Sequence, residues 1–99
     1  MSDGAGSKTV LNITVATVVD ATTTASYATR RINRVNVVVA GSAPGSVNDA
    51  ATVAAVSSPA NQVFVIPNVA GTYWLDTPCI NGIVVTPGTG QTVAVIYGA

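Results

Sequence analysis

The stretch Ile80-Asn81-Gly82-Ile83-Val84-Val85-Thr86-Pro87-Gly88-Thr89-Gly90-Gln91-Thr92-Val93-Ala94-Val95-Ile96-Tyr97 decides the fold class. Val93, Val95 and Tyr97 recur at every second position over Gln91 to Tyr97, the period of a pleated strand and not of a helix. Ile83 to Thr86 is a short apolar run of the same kind. Pro87-Gly88-Thr89-Gly90 between them has turn composition, and Asn81-Gly82 is the dipeptide that two-residue hairpins favour. Just upstream, Thr72 to Leu75 and Cys79-Ile80 flank Asp76-Thr77-Pro78. Together these segments predict a meander of three strands whose last member holds the C-terminal residues in the sheet.

The same period continues towards the N-terminus. From Val10 to Val19 the residues Leu11, Ile13, Val15 and Val19 form one apolar line, with Asn12, Thr14 and Ala16 opposite, which predicts a half-buried strand. Ile32 to Ala40 sets Val35, Val37 and Val39 against Arg34, Asn36 and Val38, and Pro44-Gly45 after it suits the centre of a type II turn. Gln62 to Ile66, bounded by Pro59 and Pro67, reads as a short buried strand. Asp20 to Thr29 has no apolar line and reads as a loop. Val47 to Ser58 is ambiguous: Asn48 or Asp49 could cap a short helix, yet Val47, Val53 and Val56 suit a strand or irregular crossing, the reading adopted here. Residues 1–8 read as a polar arm and 9–99 as one all-β domain, a compact antiparallel β-sandwich or β-barrel of six or seven short strands.

Only eight of the 99 residues are charged, the net charge is zero, and neither histidine nor glutamate occurs. Acid–base catalysis most often draws on His, Glu or Asp beside a partner, and only four widely separated aspartates are offered, so no catalytic site is assigned and the chain reads as non-enzymatic. One cysteine and no histidine leave zinc without a ligand set, and Asp20, Asp49 and Asp76 do not have the spacing of a calcium loop. No metal or cofactor is expected. Cys79 reads as a small buried apolar residue. No apolar run approaches the roughly twenty residues of a membrane helix, and residues 1–8 lack the pattern of a secretory signal. The uncharged windows Val37–Val39, Val63–Ile66 and Ile83–Val85 would favour association if exposed at sheet edges, and the only lysine, Lys8, lies outside the expected strands. Covering by neighbouring copies or by a larger particle is the expected remedy.

Two groups of residues are candidates for partner binding. Arg30, Arg31 and Arg34 form the only charge cluster; on a regular strand Arg30 and Arg34 share a face and Arg31 takes the other. They serve either as solvated edge residues that discourage mispairing or as a patch on acidic groups of a partner, where guanidinium forks give directional bonds. Three arginines in a neutral chain release too few counterions to make nucleic acid the expected partner. Tyr73 and Trp74, beside Asp76, are the second group: alternation sends one of the two to the core, and Trp74 is expected in core or intersubunit packing ahead of contact with a ligand.

A small neutral chain rich in Val, Thr, Ala and Gly, ending in the Ile80–Tyr97 stretch quoted above, resembles small structural proteins of tailed bacteriophages. The likeness lies in the C-terminal third, and elsewhere in composition. It implies an all-β virion component, above all a capsid decoration (cement) protein on the outer head surface, bound to the major capsid protein or another virion protein, often as a trimer at capsomer junctions. The alternative is a tail, baseplate or fibre-associated β module that binds a host-surface glycan; an adhesin or surface-layer fragment is disfavoured by the absent export signal.

Overall fold

The computed structural model describes residues 8–20 and 30–98, which form eight strands. These are β1 (Lys8–Ile13), β2 (Thr17–Asp20), β3 (Arg30–Val39), β4 (Gly45–Asn48), β5 (Gln62–Ile66), β6 (Gly71–Cys79), β7 (Ile83–Thr86) and β8 (Thr92–Gly98). They make two four-stranded antiparallel sheets, ordered β1-β8-β3-β6 and β2-β7-β4-β5, packed as a β-sandwich.

The pairing has a simple rule. β1 lies with β8, β2 with β7, β3 with β6 and β4 with β5, as in a long hairpin bent at the β4–β5 connection. Rolling that hairpin adds the contacts β3–β8 and β4–β7. The outcome is the double-sheet jelly roll, eight strands in two Greek keys. β4 and β5 are the one consecutive pair that are also neighbours among the described strands.

The expected C-terminal meander is therefore not formed: β6, β7 and β8 lie beside β3, β2 and β1, and the chain changes sheet at each turn. A type I′ hairpin needs positive φ at both central residues, and neither Asn81 nor Gly82 has it. Gly82 instead packs against the backbone oxygens of Asp20 and Ala50, where a Cβ would collide. Nor does Gly45 take the positive φ of a type II turn; it opens β4.

Val10–Val19 is likewise two strands in different sheets. Asn12 adopts φ 56°, the register shifts between Val10 and Ile13, and the apolar line is broken: Ile13 enters the core, whereas Leu11 and Val15 are exposed. Lys8 begins the edge strand β1 and does not precede it. β6 runs unbroken through Asp76-Thr77-Pro78, with Asp76 at φ 51°; Pro78 is tolerated because β6 is an edge strand. The crossing after β4 is irregular, with one 3-10 turn at Val53–Ala55 capped by the Thr52 hydroxyl and not by Asn48 or Asp49. The arm 1–7 and most of the loop expected over Asp20 to Thr29 lie outside the described residues.

Ile13, Ile32, Val35, Val47, Ile66, Ile83, Val85, Val93 and Val95 fill the space between the sheets, with Cys79 among them. Branched side chains suit this thin layer, since inner faces of a sandwich sit roughly 10 Å apart. Val37–Val39 and Ile83–Val85 belong to interior strands, so only Val63–Ile66 among the apolar windows lies on an edge.

Buried polar groups tie the two ends. At one, Gln91 is 1% exposed; its Nε2 donates to the Pro67 carbonyl and its Oε1 accepts from the Gly88 amide, both at 2.8 Å. At the other, the Asp49 carboxylate accepts from the amides of Ile80, Asn81 and Gly82 at 3.1, 2.7 and 3.2 Å, fixing the β6–β7 turn to the end of β4.

Candidate interaction face

β3 positions the arginines, and it is not regular. Opposite β8, Ile32 pairs with Tyr97 and Arg34 with Ile96, so Asn33 is an extra residue. This bulge changes the parity of the strand. Ile32 faces the core before it, and Val35 and Val37 face the core after it. Arg30 and Arg34 consequently do not share a face, contrary to the regular alternation.

Arg30 is 5% exposed and turned inward, where its Nε lies 3.3 Å from the Asp20 carboxylate and its Nη1 donates to the Ile80 carbonyl at 2.9 Å. It joins the end of β2 to the start of β3 and belongs to no surface patch. Tyr73 also points inward, packs on Phe64 with ring centroids 6.3 Å apart, and donates its hydroxyl to the Val69 carbonyl at 2.6 Å.

Arg31, Arg34 and Trp74 are brought together on the outer face of the β1-β8-β3-β6 sheet. Thr9, Ile96, Arg34 and Trp74 form one row across its four strands. The Arg34 guanidinium carbon stands 4.7 Å from the centre of the Trp74 ring, a cation–π contact that orients both side chains. Trp74 is nevertheless 68% exposed, so it is not a core residue. Arg31 lies one row further along and meets Asp76, Nη1 to Oδ1 3.4 Å and Nη1 to the backbone oxygen 3.2 Å. Both partners are open to solvent, and such a pair contributes at most about 1 kcal/mol. Ala94, Asn36 and Thr72 form the next row, and Leu11 projects at the β1 edge, 70% exposed.

On the opposite sheet part of the outer face is covered by the chain itself. Val84 is fully buried although it is no member of the core cluster. Its register neighbour Asn48 is also fully buried, and the Asn48 amide donates to Ser58 Oγ at 3.1 Å and Asn61 Oδ1 at 2.8 Å. The 49–61 crossing therefore folds back over that face, and a network of Ser46, Asn48 and Asn61 holds it there. On the sheet that carries Trp74, the outward-facing Ile96 and Ala94 are likewise buried although they are not members of the core cluster.

Sequence reasoning named Arg31, Arg34 and Trp74 but missed Leu11 and the bulge. The signal was present: inward residues Ile32 and Val35, like Val10 and Ile13, stand three apart, an odd spacing that a regular strand cannot place on one face. Cys79 is fully buried, and burial, reinforced by the charge of Asp49 and opposed by that of Arg30, pushes its thiol from 9.0 to about 11. It is thus a poor nucleophile at neutral pH. No three His, Cys, Asp or Glu side chains gather as a metal site among the described residues, and none of their helices is long and apolar enough to cross a membrane. No family model, curated protein or solved structure matches the chain, so the reading of this face rests on its geometry.

Proposed function

We propose that the chain is a non-enzymatic structural protein of a virus particle, a capsid decoration (cement) protein that sits on the outer head surface and strengthens contacts between capsomers. The observation that carries this reading is the outer face of the β1-β8-β3-β6 sheet, where the exposed Trp74 and Leu11 are held on strands of the sandwich together with Arg34 and Arg31. Trp and Arg are the residue types that dominate binding energy at protein interfaces. Among the described residues, Asp20 pairs with Arg30 and Asp49 accepts from three amides, so those charges serve the fold. Double-sheet jelly rolls recur in viral capsid domains, a fold-level analogy that agrees with the resemblance without fixing a function. The partner is the major capsid protein or another virion protein. Neither nucleic acid nor membrane is part of this reading.

The test is binding to undecorated heads of the phage that encodes the chain. Saturable co-sedimentation and a higher temperature of head disruption are expected, and Trp74→Ala or Arg34→Ser should weaken both while the free protein stays folded. Heads that neither retain the chain nor gain stability would end the proposal.

One observation favours the second reading, a tail- or fibre-associated module on a host-surface glycan: an exposed indole has an arginine guanidinium over its ring. Lectin domains share the jelly-roll architecture. Saturable quenching of Trp74 fluorescence by purified host-surface polysaccharide, without head binding, would select it.

A further inference from the structure

Asn81 is the only one of the seven asparagines that is followed by glycine. That dipeptide is the unit most open to spontaneous deamidation, because glycine has no side chain to obstruct attack by its own amide nitrogen on the neighbouring carboxamide. Asn81 is exposed, and among the described residues no hydrogen bond engages its side chain. The attacking nitrogen is placed differently. The Gly82 amide donates to Asp49 Oδ1 at 3.2 Å, the longest of the three bonds that hold the β6–β7 turn, and the Asn81 amide donates to the same oxygen at 2.7 Å. Gly82 is buried, and a Cβ on it would stand 2.3 Å from the Ala50 backbone oxygen and 2.7 Å from that of Asp20. To reach Cγ of Asn81, the Gly82 nitrogen must give up Asp49 and rotate its peptide plane, and this packing leaves no room for the rotation.

We propose that Asn81 is a modification site guarded by Asp49: it deamidates from a locally opened β6–β7 turn, and its isoaspartate product does not re-form that turn. Local opening of this kind precedes global unfolding. In the open turn the Gly82 nitrogen bonds to Cγ of Asn81 and gives its proton to solvent base, the Cγ–Nδ2 bond breaks, and ammonia leaves. Water then opens the cyclic imide at either carbonyl, giving aspartate, or isoaspartate in which the main chain runs through Cβ. Each product puts a new carboxylate at position 81, on the residue whose backbone amide is bonded to the Asp49 carboxylate. Isoaspartate also lengthens the main chain by one atom immediately before Gly82, where packing on Ala50 and Asp20 has no slack. The tie between the turn and the end of β4 is thereby lost. The reaction is a one-way release of this end of the sandwich, and it adds a negative charge to a chain whose net charge is zero.

This chemistry is independent of the capsid reading. The experiment is incubation of the full chain in mildly alkaline buffer, with isoelectric focusing to detect the new charge, peptide mass mapping to place it, and amide hydrogen exchange on the aged protein. The folded chain should gain its charge at Asn81 about tenfold or more slowly than the same chain unfolded in urea, because attack waits for local opening. Asp49→Ala should bring the folded rate towards the urea rate. Asn81→Gln, whose longer side chain disfavours ring closure, should stop the charge gain. The isolated isoaspartate form should exchange faster at Ile80 and Gly82 while β3 and β8 keep their protection. Should the Asp49 variant misfold, the native chain supplies the test: over a series of sub-denaturing urea concentrations, deamidation at Asn81 and exchange of the Gly82 amide should rise in the same proportion. Four results would each overturn the inference: equal rates in the folded and urea-unfolded chains, a folded Asp49→Ala that reacts no faster than the native chain, a rate that follows exchange in β3 and β8 instead of Gly82, or an isoaspartate form whose turn amides stay protected.

Discussion

Cys79 and Arg30 lie on adjacent strands at the same end of the sandwich, and both are sealed in. The folded thiol titrates near 11 and its ordinary value is 9.0, so the folded chain keeps that proton longer than the unfolded chain does. The associated stability is complete below pH 9 and is lost as pH rises through 11, about 2–3 kcal/mol in all. Urea titrations at pH 8 and pH 11 should show that loss in the native chain, and Cys79→Ala should remove this share of it. Equal slopes in the two proteins would disprove the assignment. Arg30→Gln has a different basis: it leaves the Asp20 carboxylate, 19% exposed, without its guanidinium, and loss of one member of such a pair costs about 3–5 kcal/mol. Chemical denaturation measures this directly, and a change below about 1 kcal/mol would mean that water already solvates the pair.

Among the elements, the strands with one clear period were legible and their partners were not. Gln62–Ile66 and Ile83–Thr86 are β5 and β7 with the expected bounds, and Val93, Val95 and Tyr97 do share the inner face of β8. Asn81-Gly82 misled because dipeptide composition describes a tight turn without saying whether the chain re-enters the same sheet; that choice is made by Asp49, about thirty residues upstream in sequence. The bulges in β1 and β3 displaced whole side-chain sets, which is why Arg30 was grouped with Arg34 and Leu11 with Ile13. Of the candidate site, the residue types were readable and the faces were not. The arch predicts its own test: Asp49→Ala strands three amides at the β6–β7 turn and should cost about 3 kcal/mol or more, given 1.5–3 kcal/mol for a hydrogen bond to a charged group. Amide hydrogen exchange at Asn81 and Gly82 should accelerate in that variant ahead of exchange in β3 and β8. Protection lost uniformly across both sheets would instead make the turn inseparable from the global fold.

For the whole molecule, the two ends of the described chain, β1 and β8, lie side by side, and its midpoint is the 49–61 crossing. Sequence separation between partners grows outward from that crossing, from β4–β5 to β1–β8. Domains dominated by such distant pairings fold in milliseconds to seconds and not microseconds. The rule that paired each strand with its mirror in the chain therefore also acts as a clock. Assembly can start cheaply only at the midpoint, and the sheet carrying Trp74 closes last because its edge strand β1 waits for β8. A circular permutant that joins residue 98 to residue 8 by a short flexible linker and opens at Ala54 keeps every ladder but makes β8–β1 the local hairpin. It should reach the same two sheets by the opposite order of events. In stopped-flow refolding, substitutions in β8 and β1 would then slow folding where those in β4 and β5 slowed it before.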